Sequence, residues 1–111
     1  MTDALTVLNE LRESRGIPYA YNHFAEGESP DPPFVVYLYP ESDHFLADSH
    51  VYRKITEVHI ELYTDRKDPN LEKALEDILD EHELCYEKSE VWIAEERLYE
   101  VMYTMEVLQN G

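Results

Sequence analysis

The stretch from Val51 to Thr64 constrains the fold more than any other part of this sequence. Within it, apolar and charged residues alternate: Val58, Ile60 and Leu62 against Glu57, His59 and Glu61. Because successive side chains of a strand point to opposite faces, this pattern predicts a strand with one apolar face turned inward and one charged face outward. The stretch is too long for one compact core, and its first half breaks the alternation. We therefore expect residues 51–57 to protrude as a β arm together with the preceding loop, residues 41–50.

Two amphipathic helices are predicted, one before and one after this strand. Residues 4–15 carry apolar side chains at helical spacing, with Thr2 or Asp3 as the cap and Gly16 as the stop. Asp68-Pro69 begins the second helix, because a carboxylate caps well and proline costs little at the first helical position. One face of this helix is apolar and the other acidic: Leu71, Ala74, Leu75, Ile78, Leu79 and His82 against Glu72, Glu76, Asp80 and Glu83.

The remaining elements complete an α+β pattern. Residues 17–21 form a short strand at which Pro18 indicates a start or an edge, and residues 25–33 form a loop. Residues 34–39 are continuously apolar, which is typical of a strand covered on both faces and makes them the best candidate for the central strand. Residues 84–93 and 97–108 are two final strands joined by a hairpin. The order is helix, three strands, helix, two strands.

This order predicts a single domain spanning residues 1–111, with both helices packed on a mostly antiparallel or mixed sheet. The residues expected to share the core between helix and sheet are Leu75, Ile78, Val58, Ile60, Val101 and Tyr103.

The charge of the chain excludes several functions. Twenty-five acidic residues against nine Lys and Arg leave a formal net charge of -16, which repels polyphosphate and anionic lipid. Direct wrapping of nucleic acid is therefore not expected. The sequence leaves open whether this charge serves solubility alone or also selects a partner. No stretch approaches the roughly 20 apolar residues of a membrane-spanning helix, and no signal peptide is recognised, so we expect a location in the cytosol.

No metal site is predicted from the five histidines, His23, His44, His50, His59 and His82. The densest group of possible ligands is Asp43, His44, Asp48 and His50. This group lacks the i, i+4 spacing of a helical zinc motif and any thiolate pair, so an exposed loop explains it better. His82 lies near the end of the second helix, where we expect a structural role.

Catalytic and cofactor-binding residues are not predicted either, so we do not expect an enzyme. Cys85 has apolar neighbours in a predicted strand, which indicates a buried thiol, and the serines lack a nucleophile elbow. The acidic pairs at 81–83 and 95–96 lie in predicted turns, where solvated charge is expected. The three glycines lie too far apart to form a phosphate-binding loop.

Nine tyrosines are the most unusual part of the composition. Tyrosine is enriched at protein interfaces, although packing within a sheet explains it equally well. Tyr99 and Tyr103 fit sheet packing. Four other tyrosines alternate along strands or flank them, so we expect some of the four to be exposed: Tyr37, Tyr39, Tyr52 and Tyr63.

Three segments carry a resemblance to a known family: Ile-Pro-Tyr-Ala-Tyr-Asn-His-Phe at 17–24, Pro-Phe-Val-Val-Tyr-Leu-Tyr-Pro at 33–40 and Ile-Glu-Leu-Tyr-Thr-Asp at 60–65. Together with the order of elements, they resemble the tail-terminator proteins of long-tailed phages and prophages, also called tail-completion or tail-to-head joining proteins. The resemblance covers nearly the whole chain. The resemblance lies in the order of elements and in these three short segments. It assigns no function to any single residue.

The resemblance implies a virion structural protein. In that family, six copies form a ring that caps the tail tube and joins it to the head. It therefore implies a homo-oligomeric ring, a hexamer as in that family, built by sheet edges and an extended arm. Its partners would be the tail tube protein and head-tail connector proteins, and DNA would pass through without being bound. The protein would be found in the host cytoplasm during assembly and then at the head-tail junction of the virion.

Two alternatives remain at this point: another head-tail connector (neck) component, and an acidic protein-binding module such as a DNA mimic. For a ring, acidic walls would let DNA pass without gripping it. The candidates for such walls are the carboxylates on predicted solvent faces, Glu57, Glu61, Glu72 and Glu76. The loop 41–50 is expected to be mobile in the free protomer and to become ordered against a neighbour.

Overall fold

The computed structural model describes the backbone of residues 4–24, 27–40, 42–43 and 53–110, and the side chains of these residues except 42–43, 53–56 and 107–110. The elements are α1 (Ala4–Arg15), β1 (Tyr19–Tyr21), β2 (Phe34–Leu38), β3 (Ser42–Asp43), β4 (Arg53–Thr64), α2 (Pro69–Glu81), β5 (Tyr86–Ile93) and β6 (Leu98–Asn110). The predicted α+β class and order of elements are confirmed, except that β3 adds a two-residue strand within a segment predicted as loop.

The strands form one mixed sheet in the order β1-β2-β4-β6-β5, and β3 pairs with β4 outside this path. Strand β1 runs parallel to β2, whereas the other pairs are antiparallel. The centre of the sheet is β4. Strand β2, predicted as the central strand, lies between β1 and β4, one position closer to the edge.

Both helices contribute to one apolar core, on one side of the sheet. From α1 come Ala4, Val7, Leu8 and Leu11, and from α2 come Leu71, Leu75, Ile78 and Leu79. They join the inward-facing strand residues Val35, Tyr37, Val58, Ile60, Leu62, Val101, Tyr103 and Met105. All six residues predicted to share this core belong to it, so the alternation in β4 indicated the correct inward face.

The helix ends follow the local signals in the sequence. Asp68 Oδ1 accepts a hydrogen bond from the backbone N–H of Leu71 at 3.1 Å, and Pro69 is the first residue of α2. Gly16 has a φ of +68°, which favours glycine, and its N–H donates to the carbonyl of Arg12 at 2.8 Å. In the 94–97 turn, the N–H of Glu96 donates to the carbonyl of Ile93 at 3.2 Å.

Strands β4 and β6 pair along their whole shared length, from Arg53 opposite Asn110 to Thr64 opposite Tyr99. Strand β2 pairs only with residues 59–63 of β4, and β5 only with residues 98–105 of β6. The β4-β6 pairing therefore continues past the positions at which β2 and β5 end. Most of the loop predicted to protrude with it, residue 41 and residues 44–50, lies outside the described residues.

Candidate assembly surface

One face of the sheet carries neither helix, and we call it the helix-free face. Residues directly opposite in an antiparallel pair share a face, and alternate residues of a strand point to opposite faces. The register therefore assigns to this face Phe34, Val36 and Leu38 of β2, residues 57, 59, 61 and 63 of β4, and residues 100, 102, 104 and 106 of β6. From β5 it receives Glu87, Ser89, Val91 and Ile93.

The helix-free face is strongly acidic. Its carboxylates are Glu57, Glu61, Glu87, Glu100 and Glu106, and none of its strand residues with described side chains is Lys or Arg. The only histidine among them is His59, whose Nε2 lies 3.3 Å from Glu57 Oε2. Two of the four carboxylates proposed from the sequence as acidic walls, Glu57 and Glu61, lie here.

Aromatic rings close over one end of this face. The rings of Phe34 and Tyr63 stack with centroids 5.2 Å apart, and the ring of Phe24 meets Phe34 edge-on at 5.4 Å. Phe34 is 8% exposed and Val36 is 6% exposed, although no helix covers them. The rings leave a shallow hollow of about 240 Å³ beside Tyr63, with His23 and Glu96 also on its lining.

The carboxylates nearest these rings share one hydroxyl group. Tyr63 Oη lies 2.9 Å from Glu61 Oε1 and 2.7 Å from Glu100 Oε2. Partial burial raises the pKa of Glu61; the hydrogen bond from Tyr63 and the charge of His59 oppose that rise, while the charge of Glu100 adds to it. Burial and the two carboxylates within hydrogen-bonding distance also raise the pKa of Tyr63, so this phenol stays neutral.

Glu72 and Glu76 lie on the other side of the sheet, between α2 and β5. Glu72 is only 4% exposed, and its carboxylate binds Lys67 Nζ at 2.7 Å and Lys88 Nζ at 2.8 Å. Glu76 accepts hydrogen bonds from the Tyr103 hydroxyl at 2.8 Å and from Lys88 at 2.7 Å. The prediction of a solvent-facing Glu72 is wrong, because β5 brings a lysine against the acidic side of α2. Neither carboxylate belongs to the helix-free face.

The ion pairs between α2 and β5 favour the charged forms of Glu72 and Lys88. Burial opposes ionisation of Glu72, but the hydrogen bonds from Lys67 and Lys88 outweigh it and lower the pKa of Glu72. Hydrogen bonds to Glu72 and Glu76 raise the pKa of Lys88. The ion pair of Glu72 and Lys88 therefore joins α2 to the sheet with both groups charged at neutral pH.

Cys85 is exposed, and the prediction of a buried thiol is wrong. Strand β5 begins one residue later, at Tyr86, so Cys85 lies in the connection before the sheet. It lines an open groove of about 570 Å³ with Glu57, Glu87 and Thr104 among its neighbours.

The histidines give no metal site in the described residues. His82 Nε2 lies 2.8 Å from Glu10 Oε1 and so links the end of α2 to α1. Of the loop group, His44, Asp48 and His50 lie outside the described residues. Within the part of the chain that the structure describes, no three His, Cys, Asp or Glu residues are grouped as metal ligands would be.

Exposed aromatic residues lie at both edges of the sheet. Tyr21 of β1 is 48% exposed and Trp92 of β5 is 47% exposed, with the Trp92 ring 4.7 Å from that of Tyr99. Of the four tyrosines among which exposed ones were expected, Tyr37 is buried and Tyr52 lies outside the described residues. The exposed pair Val91-Trp92 on the edge strand β5 was not predicted from the sequence.

None of the helices in the described ranges has the length and apolar character needed to cross a membrane. Comparison with models of protein families finds no match for this sequence, and comparison with curated proteins finds no significant one.

Proposed function

We propose that this chain is a phage or prophage tail terminator, a structural protein that closes the tail tube as a ring and joins it to the head. The observation that carries the proposal is the acidic helix-free face. It bears five carboxylates and no Lys or Arg among its strand residues with described side chains. A ring that turns this face toward its lumen presents DNA with a wall that repels phosphate.

The strand arrangement supports the same proposal. Strands β4 and β6 continue as a pair beyond β2 and β5, with β3 beside β4 at residues 55 and 56, and in this proposal the extension serves as the β arm. Strand β5 is an edge strand of eight residues that exposes Val91 and Trp92. Long exposed edges with apolar side chains favour pairing with another chain. An arm and an open edge on one protomer give a head-to-tail contact that a ring can close.

In this proposal, apolar and hydrogen-bonded contacts between subunits offset electrostatic repulsion. Each copy brings a formal net charge of -16, and repulsion between copies is screened beyond about 8 Å at physiological salt. Exposed charges contribute little to folding stability, so the acidic face is available for function.

An acidic protein-binding module, such as a DNA mimic, is the second candidate. The same observation supports it, because a face with five carboxylates and no Lys or Arg among its strand residues with described side chains attracts a basic protein. Such a module would act as a monomer or dimer and bind a basic protein through this face.

Negative-stain imaging of the purified full chain in high salt distinguishes the two candidates. The tail-terminator proposal predicts closed rings of uniform diameter with a central hole. Particles of monomer or dimer size, together with saturable binding of a basic protein that the E57Q/E106Q variant loses, would favour the DNA mimic instead. The matched control is E81Q, which removes an exposed carboxylate on the helix side.

A further inference from the structure

One hydroxyl group on the helix-free face has two carboxylates as partners. Tyr63 Oη lies 2.9 Å from Glu61 Oε1 and 2.7 Å from Glu100 Oε2. A phenol has one proton and donates to one acceptor at a time. The second contact is a hydrogen bond only when the other carboxyl group carries a proton of its own. One added proton therefore satisfies all three groups, whereas two ionised carboxylates compete for one donor.

We propose that Glu61, Tyr63 and Glu100 form a proton-binding site that holds one shared proton on the helix-free face. In the proton-bound state, the Glu61 carboxyl donates to Tyr63 Oη and the Tyr63 hydroxyl donates to ionised Glu100. Release of the proton to solvent breaks the first hydrogen bond and leaves a second negative charge within about 6 Å of the first. Each binding or release changes the charge of the face by one unit, with water as the only exchange partner.

The surroundings of Glu61 favour proton uptake. Its cross-strand neighbours on the two sides are apolar, Val36 on β2 and Met102 on β6. Among the residues with described side chains, the titratable groups that face it or the Tyr63 ring are His59 and Tyr63 on β4, Glu100 on β6, and His23 and Glu96 beside the hollow. Because both carboxylates lie within 3 Å of one hydroxyl oxygen, the charge of Glu100 opposes ionisation of Glu61. Partial burial also raises the pKa of Glu61, and the nearby Glu100 charge adds to the rise.

For a ring, the site has a functional consequence that depends on the proposed function. If the helix-free faces line a lumen, the proton-binding sites of all copies take up protons together as the pH falls. The wall then repels DNA less in mild acid than at neutral pH. The site itself requires only the geometry of one protomer.

The test is a pH titration of the full chain labelled with ¹³C at the glutamate side-chain carboxyl, followed by NMR. The E61Q variant identifies the Glu61 signal. We expect this signal to titrate above the ordinary glutamate value of 4.5. In E100Q, the midpoint of the Glu61 titration should fall, because the charge that opposes ionisation of Glu61 is gone. In the control variant E106Q, which changes a carboxylate on the same strand about 13 Å from Met102, it should stay unchanged.

A Glu61 midpoint at or below 4.5 in the wild type, or an unchanged Glu61 midpoint in E100Q, would overturn the proposal. If E100Q does not fold, the position of the wild-type Glu61 midpoint relative to 4.5 decides alone. The titration reports on one protomer, so a failure of ring formation in the imaging experiment would leave its result intact.

Discussion

At the scale of single residues, two glutamates that look alike in the sequence have opposite environments. Glu61 and Glu72 both lie on faces predicted to meet solvent. Glu61 is part-buried beside another carboxylate, which raises its pKa, whereas Glu72 is almost fully buried between two lysines, which lower its pKa. The neighbouring strands decide the difference, because β5 brings Lys88 to Glu72 whereas β6 brings Glu100 near Glu61. Residue spacing along one element carries no information about the strand that will lie against it.

Replacing Glu72 with Gln should destabilise the fold by about 1–3 kcal/mol, because it removes two charge-assisted hydrogen bonds and leaves Lys67 and Lys88 with unbalanced charge. This loss of stability is smaller than the loss expected for a fully buried ion pair, because both lysines are partly exposed. Urea unfolding at pH 7 measures it. E81Q, exposed at the end of the same helix, is the control and should change stability by less than about 0.5 kcal/mol.

The difference in unfolding free energy between wild type and E72Q should depend on pH. Because the pKa of folded Glu72 lies below its ordinary value of 4.5, the stabilisation is present above that value. It is lost as the pH falls through the lowered pKa of the folded state. Glu61 has the opposite sign, but it is present in both proteins and cancels from the difference. Urea midpoints from pH 7 to pH 3 check this, and a difference that grows in acid would contradict the ion network.

At the scale of elements, the sequence predicts most where one local signal acts alone. The Asp68-Pro69 start, the Gly16 stop and the inward face of β4 were all predicted correctly, since each depends on a few neighbouring residues. Errors arise where distant segments meet. Strand β3 exists through its pairing with β4, and the exposure of Cys85 depends on where β5 begins to pair with β6.

Replacing Asp68 with Ala should lower the unfolding free energy by about 1 kcal/mol, because the N–H of Leu71 loses its side-chain acceptor at the start of α2. D65A, a change to an exposed aspartate in the loop before the helix, is the matched control. Urea unfolding compares the two variants. Equal effects of D68A and D65A would show that the capping hydrogen bond contributes nothing measurable.

At the scale of the whole molecule, charge and shape act together. The acidic helix-free face lies opposite the helices, so its charge can vary without disturbing the core. From the sequence, Glu57 and Glu61 were identified as candidates for this face, but its further members Glu87, Glu100 and Glu106 were not. Their common orientation follows from the registers of β4, β5 and β6, which a single sequence does not contain.

Reversing charge on this face should change DNA affinity while leaving the fold intact. Glu57 and Glu106 lie directly opposite each other, so the double variant E57K/E106K keeps like charges paired and replaces two anions with two cations. We expect an unchanged thermal midpoint and a gain of salt-dependent DNA binding, measured by fluorescence anisotropy. A lysine introduced on the helix side, E81K, is the control and should gain less. Equal affinities in both variants would argue against a special role for this face.

The central claim, a ring of copies held together against their own charge, is tested most directly by the mass of the full chain in solution. Light scattering after size-exclusion chromatography gives this mass across protein concentrations and from low to high NaCl. We predict one closed oligomer, six copies of 13.1 kDa, with a population that grows as salt screens the repulsion between copies. A monomer under all these conditions, or an oligomer that dissociates as salt is raised, would contradict the account.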